Sequence, residues 1–184
     1  MRSMSSTLID YAAITPTPWK NGRGVTRILC DDSDGDPASP WSWRISIAEI
    51  TGTQPYSPYP GVHRGQVALG PGDVRLNLNG RPTLLRVEQV IEFEGEDEVS
   101  ATPLAAGFLD LNVMTRRDAW RSDVEIFRGT ELGVDADGIA VLVALDDRCT
   151  IDGHPRRRLD AARLVGGSSS ALSGHWALAR LAAA

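Results

Sequence analysis

No apolar run in this chain approaches the roughly 20 residues needed to cross a bilayer, and the opening Met1 to Thr7 has one arginine with no apolar segment behind it. It therefore does not read as a secretory leader, and the expected location is the cytoplasm, with no membrane as partner. Cysteine is scarce. Cys30 and Cys149 lie far apart and are the only two, which leaves neither a metal-binding pair nor a disulfide framework and predicts buried free thiols. A basic excess is missing as well: the net charge of −5 argues against nucleic acid as a partner, although it leaves room for a local cluster of arginines around a small anion.

Several catalytic signatures are absent. There is no Gly-x-Ser-x-Gly elbow, no Gly-Lys-Ser/Thr phosphate loop, and no dinucleotide fingerprint, since no helix follows the glycines of Asn21-Gly22-Arg23-Gly24. His63, His154 and His175 are single and scattered, without the i, i+2 pair that would point two imidazoles into one barrel. No metal and no cofactor are expected. Long segments with a 3.6-residue apolar period are missing too, which excludes a helical architecture.

What is present is alternation with a period of two. Trp41, Trp43, Ile45 and Ile47 share one face of a strand over Trp41 to Ile50, and Ser42, Arg44, Ser46 and Ala48 share the other. Arg44 then faces either water or a polar cavity. Phe108 to Met114 alternates again, with Leu109, Leu111 and Val113 on one side and Phe108, Asp110, Asn112 and Met114 on the other. Further strands are expected at Leu8 to Ile14 (an edge), Val25 to Cys30, Gln66 to Leu69, Val74 to Leu78, Leu84 to Val87, Val124 to Phe127, Ile139 to Leu145 and Cys149 to Ile151. His175 to Leu181 reads as a strand or a short helix. Asn79-Gly80 and Asp152-Gly153 are hairpin dipeptides, Asp31 to Pro40 is an exposed loop, and Glu92 to Glu98 is a solvated acidic patch. About ten short strands separated by turn signals predict an all-β jelly roll, and 184 residues leave room for two such units side by side.

The stretch from Pro18 to Arg27 concentrates special chemistry. Trp19, Lys20, Asn21, Gly22 and Gly24 place an aromatic ring, a cation, an amide and two glycines together. Glycine lets a ligand approach the main chain closely, and Lys20 with Asn21 supplies donors beside that opening; the competing reading is a β-turn with a solvated lysine and a core tryptophan. Lys20, Asn21, Arg44, Arg64, Asn112, Arg116 and Arg117 all fall at strand ends. Arginine grips a carboxylate through two parallel hydrogen bonds, so a shared cavity would select a small carboxylic acid.

Four motifs in one order, Pro18-Trp19-Lys20-Asn21-Gly22, Trp43-Arg44-Ile45-Ser46-Ile47-Ala48, Tyr59-Pro60-Gly61-Val62-His63-Arg64 and Leu111-Asn112-Val113-Met114-Thr115-Arg116-Arg117, resemble the HutD/Ves family. The resemblance implies an all-β double-cupin fold of two packed jelly-roll-like barrels. These would form a single unit over residues 1–184, with a motif-bearing region over about 8–117 and a second barrel over about 118–184. It implies an accessory role in histidine utilisation, through a small carboxylate such as urocanate or a formylated glutamate. Ligand-binding residues carried over from the motifs are Trp19, Lys20, Asn21, Gly22, Arg44, Tyr59, His63, Arg64, Asn112, Met114 and Arg116. Arg23 stands where the family usually has a third glycine, and His63 where an aspartate is common. In this reading Lys20 and Arg64 neutralise the acid, Asn21 and Asn112 orient it, and Trp19 with Met114 forms an apolar wall. Two alternatives stay open: a cupin-type isomerase or hydrolase with His63 as proton carrier, and a protein-interaction module with a vestigial pocket. The sequence also allows a homodimer.

Overall fold

The computed structural model describes residues 6–33 and 40–184. In chain order the strands are β1 (Ser6–Ile9), β2 (Thr17–Pro18), β3 (Gly24–Asp31), β4 (Trp43–Ile50), β5 (Gln54–Pro55), β6 (Val62–Gly70), β7 (Val74–Leu78), β8 (Arg81–Leu85), β9 (Val90–Glu94), β10 (Val99–Pro103) and β11 (Phe108–Arg116). They continue as β12 (Trp120–Phe127), β13 (Glu131–Gly133), β14 (Ile139–Ala144), β15 (Cys149–Ile151), β16 (His154–Arg156), β17 (Ala161–Val165), β18 (Ser169–Ser173) and β19 (Trp176–Ala183). The architecture is all-β, as the alternation predicts. Among the described residues no helix is long and apolar enough to cross a membrane.

The strands form two units of two facing sheets. A six-stranded sheet, β2-β3-β4-β11-β6-β9, faces a four-stranded one, β5-β10-β7-β8; a five-stranded sheet, β1-β17-β14-β19-β12, faces the second four-stranded one, β13-β18-β15-β16. Without the flanking β1, β2 and β3, the units repeat one topology: β4-β11-β6-β9 matches β12-β19-β14-β17, and β5-β10-β7-β8 matches β13-β18-β15-β16. Even the hairpins correspond. Asn79-Gly80 joins β7 to β8 and Asp152-Gly153 joins β15 to β16, all four residues with positive φ, as two-residue type I′ turns demand.

The two larger sheets pack face to face, and the alternation decides what fills the space between them. Trp43, Ile45 and Ile47 of β4, Val67 and Leu69 of β6 and Leu111 and Val113 of β11 meet Val141, Val143, Ala177, Ala179 and Leu181 of the second unit in one core. The opposite faces of the same strands line the interior of each unit. In the first, Ile50, Ala68, Val74, Leu76, Leu85, Ala101 and Phe108 fill one end.

Several details differ from the sequence reading, among them the strand expected over Leu84 to Val87, which is β8 over Arg81–Leu85. The strand placed over Leu8 to Ile14 ends at Ile9, because the Asp10 side chain accepts a hydrogen bond from Ala12 N and caps a short 3-10 turn over Tyr11–Ala13. That first strand pairs with β17, so residues 6–9 join the sheet of the second unit although they precede the first. Trp41, grouped with Trp43 by parity, lies outside β4 and half-buried at the rim. The Asp31 to Pro40 loop lies largely outside the described residues. Both cysteines are free, Cys149 buried and Cys30 half-buried, and burial pushes the Cys30 thiol up to about 12.

Candidate functional site

The other end of the first interior is polar. Cross-strand register aligns Arg44, Met114, Arg64 and Phe93 in one row across β4, β11, β6 and β9, and Ser46, Asn112, Gln66 and Ile91 in the next. Asp110 opposes Ala48 and Ala68 one row deeper. These side chains share a face because strand residues two apart point the same way. They form a directed chain of hydrogen bonds: Arg64 Nη2 donates to Asn112 Oδ1 (2.8 Å), Asn112 Nδ2 to Asp110 Oδ2 (2.8 Å), and Gln66 Nε2 to both Asp110 Oδ2 (2.7 Å) and the Tyr56 hydroxyl (2.8 Å).

Burial gives this chain its electrostatic character. Arg64, Gln66, Asp110 and Asn112 are 7%, 0%, 1% and 6% exposed. Desolvation lowers the pKa of Arg64 and pushes the Asp110 carboxyl up to about 7, with the hydrogen bond from Asn112 and the charge of Arg64 holding it down in part. The Tyr56 phenol is raised, first by burial and then by Asp110. Among the described residues Arg64 has no ion-paired carboxylate; its guanidinium lies instead against three rings, Phe93 at 4.9 Å, Tyr56 at 5.0 Å and Tyr59 at 5.8 Å. Three atoms of the chain have no hydrogen-bond partner among the described residues: Arg64 Nε, Gln66 Oε1 and Asp110 Oδ1.

At the rim above Arg64, Trp41 and Tyr59 pack with ring centroids 6.2 Å apart. Arg44 and Arg116 lie over the Trp41 ring at 5.0 and 5.6 Å. Arg44 points inward, which answers the question its strand position raised, and Asp31 neutralises it through Nε (3.0 Å) and Nη2 (2.9 Å). Arg116 is exposed and donates to Trp41 O.

The structure thus brings together Arg44, Tyr59, Arg64, Asn112, Met114 and Arg116 of the residues selected from sequence. The Trp19-Lys20-Asn21-Gly22 stretch does not join them. Gly24 pairs with Ile50, at the far end of β4 from Arg44. There Trp19 covers Gly24 and bonds Thr26 Oγ1 through its indole N–H (2.7 Å), packing against the apolar end of the interior. A Cβ on Gly24 would come within 2.5 Å of Glu49 O and 2.8 Å of the Trp19 ring. The space expected for a carboxylate beside that glycine is filled by tryptophan. Asn21 is spent on the turn itself, accepting from Arg23 N (2.9 Å) and donating to Gln54 Oε1 (3.2 Å), while Gly22 supplies the positive φ and Lys20 is exposed. Arg23 turns back to Thr53 O.

His63 is also displaced from the site. It neighbours Arg64 in sequence and therefore points to the opposite face of β6, where Nδ1 lies 3.2 Å from Glu94 and Nε2 3.9 Å from Glu92. Arg117 ties Glu94 and Glu96 together, and Glu96 accepts from Gly61 N, so the acidic patch fastens the loop carrying Tyr59. Among the described residues no three His, Cys, Asp or Glu side chains gather as a metal ion requires.

Asp110, Gln66, Tyr56 and Phe93 were not selected from sequence. A signal existed for the first: Asp110 shares a strand face with Asn112 between Phe108 and Met114, and two polar groups on an otherwise apolar strand face need partners. Gln66 and Tyr56 carry no local signal, since only the pairing of β6 with β11 and the path of the chain after β5 bring them to Asp110.

The chain is 39% identical to protein Ves of Citrobacter koseri over 125 residues, which cover 64% of this chain and 63% of that protein. The alignment thus spans less than two thirds of that relative. In structure it resembles HutD from Pseudomonas fluorescens SBW25, solved in a formate condition, with a TM-score of 0.87 at 20% identity over 97% of this chain and 99% of the other. It also resembles a cupin 2 conserved barrel domain protein from Leptotrichia buccalis, with a TM-score of 0.59 at 13% identity over 97% and 96% of the two chains. These two likenesses establish the double-cupin fold. The HutD family profile matches residues 11–178, a span that runs through both units, and the chain belongs to the HutD family.

Proposed function

We propose that this protein binds a small carboxylate in the polar half of its first unit and through it modulates histidine utilisation. One observation carries the reading: Arg64 is a buried guanidinium caged by Tyr56, Tyr59 and Phe93, with a side-chain amide as its hydrogen-bond partner and no ion-paired carboxylate among the described residues. A buried charge without a directly paired counter-ion is costly; Asp110 reaches Arg64 only across Asn112, and an anionic ligand is the natural direct counter-charge. Asn112 orients the guanidinium, Met114 and Phe93 supply apolar wall, and Arg116 with Trp41 and Tyr59 forms the rim. Lys20, Asn21 and Gly22 have no part in this version. The role in histidine utilisation rests on family membership, and urocanate and formylglutamate are the ligands it nominates. The alternative of an enzyme using His63 draws no support from this polar chain, because that imidazole faces the other side of β6.

Calorimetric titration with urocanate, formylglutamate and formate tests the proposal. The expected result is a Kd below millimolar for at least one acid, weakened at least tenfold in Arg64→Ala; a charge-assisted contact of about 1.5–3 kcal/mol implies that scale. An Arg64→Ala protein that binds as tightly as the parent overturns it.

A further inference from the structure

The second unit repeats the polar end of the first with smaller side chains, and the space this leaves is a cavity of about 560 Å³, a size typical of small-molecule sites. The registers set the correspondence. Arg121 opposes Ala182 and Asp123 opposes Arg180 in the second unit, as Arg44 opposes Met114 and Ser46 opposes Asn112 in the first. Arg180 in turn opposes Ala140 as Asn112 opposes Gln66, and Gly138 lies two residues before Ala140 as Arg64 lies two before Gln66. Met114, Gln66 and Arg64 are buried and fill the first interior; Ala182, Ala140 and Gly138 stand at the same places and line the cavity instead.

The lining carries both signs of charge. Arg121, Asp123 and Arg180 reach it from β12 and β19, and Asp135 and Asp137 from the loop between β13 and β14. Arg121 and Arg180 are diagonal neighbours on the β12–β19 pair, a spacing that long side chains bridge. Asp123 lies directly opposite Arg180, yet Glu125 takes that guanidinium at 3.1 Å, which leaves Asp123, like Arg121, without an ion pair among the described residues. Arg180 is thereby held in place while its side chain stays 41% exposed.

We propose that this cavity is a second binding site, for a small zwitterion of the α-amino acid class. Its carboxylate meets the guanidinium groups of Arg121 and Arg180, whose fork geometry suits that group, and its ammonium meets Asp123, with Asp135 and Asp137 adding negative charge to the same wall. A plain acid would leave Asp123 unpaired and face two further carboxylates. A plain amine would leave Arg121 unpaired and face two guanidinium groups. Only a ligand with both charges answers both halves of the lining. The site lies in the other unit from Arg64, so it stands apart from the carboxylate reading of the first interior and does not depend on it.

The test is calorimetric titration of the full chain with four amino acids of different side-chain chemistry, L-leucine, L-phenylalanine, L-glutamine and L-histidine. At least one should bind with a Kd below millimolar, and its decarboxylated amine and its deaminated acid should each bind at least tenfold more weakly. Asp123→Asn, at an exposed position, should weaken the amino acid at least tenfold, as should Ala182→Trp, which fills the cavity with an indole ring; unchanged midpoints of denaturant unfolding report that both variants are folded. Arg64→Ala should leave this affinity at the parent value, so failure of the first site and failure of the second are separately visible. Binding of none of the four amino acids, equal affinity for the amine or the acid, or full affinity in either folded variant overturns the proposal. An amino acid that binds but is lost in Arg64→Ala belongs to the first unit and overturns it equally.

Discussion

Position for position, Asp110 of the first unit corresponds to Leu178 of the second, Asn112 to Arg180, Gln66 to Ala140 and Ala68 to Leu142. The registers define the match: Phe108 opposes Ile50 as Trp176 opposes Phe127, and Asn112 opposes Gln66 as Arg180 opposes Ala140. One topology therefore encloses two different interiors. Where the first unit carries a buried polar chain, the second is filled by Leu132, Leu142, Ile151, Leu164, Leu172, Trp176 and Leu178. The difference shows how a fold used twice can divide its labour. Buried polar groups cost stability unless every partner is in place; the apolar interior of the second unit and the core shared between the large sheets offset that cost.

Three experiments would break or sharpen the contrast. The largest effect is expected in the second unit, where Leu178→Ala opens a cavity among fully buried neighbours and should cost about 2–5 kcal/mol in denaturant unfolding. A loss of under 1 kcal/mol would mean that this interior is not closely packed around Leu178. The corresponding position in the first unit should behave in the opposite way. The Asp110 carboxyl is raised by burial from its ordinary value of 3.8 to about 7, so its contribution to stability is fully present below the unfolded value and is lost as pH rises towards neutrality. Asp110→Asn removes that loss, and its stability relative to the parent should rise by on the order of 2 kcal/mol between pH 5 and pH 8. A difference that does not change with pH refutes a buried, titrating Asp110. The smallest effect is expected outside both interiors. Lys20 is exposed, so Lys20→Ala should shift stability by no more than about 0.5 kcal/mol and leave carboxylate affinity unchanged; a tenfold loss of affinity would return the Trp19–Gly22 turn to the site.

Much of the fold was legible because it follows from period-two alternation and turn chemistry. The faces of β4 and β11 are those the sequence predicts, and Asn79-Gly80 and Asp152-Gly153 make the hairpins expected of them. Of the site, the arginines and Asn112 were legible because they interrupt apolar strands or sit at their ends. The structure gives the Trp19 turn a different role from the one its residues suggest, for a physical reason. A lysine, an asparagine and two glycines look the same in sequence whether they greet a ligand or close a turn, and only the Trp19 ring on Gly24 and the bonds of Asn21 to Arg23 and Gln54 decide the matter. His63 faces the other way for a simpler reason: its neighbour Arg64 points inward, so it cannot.

The sequence by itself determined that this is an all-β protein, where its hairpins lie, and which residues of each strand share a face, because these depend on neighbours a few positions apart. Only the tertiary structure decided that the first interior carries a buried polar chain at one end while the second, Arg180 apart, is filled by apolar side chains, that β1 belongs to the second unit, and that Arg64, Asn112, Asp110, Gln66 and Tyr56 form one chain. Those outcomes depend, for three of the chain's four side-chain bonds, on contacts between residues 10 to 48 positions apart, and on strand register, which no local pattern encodes.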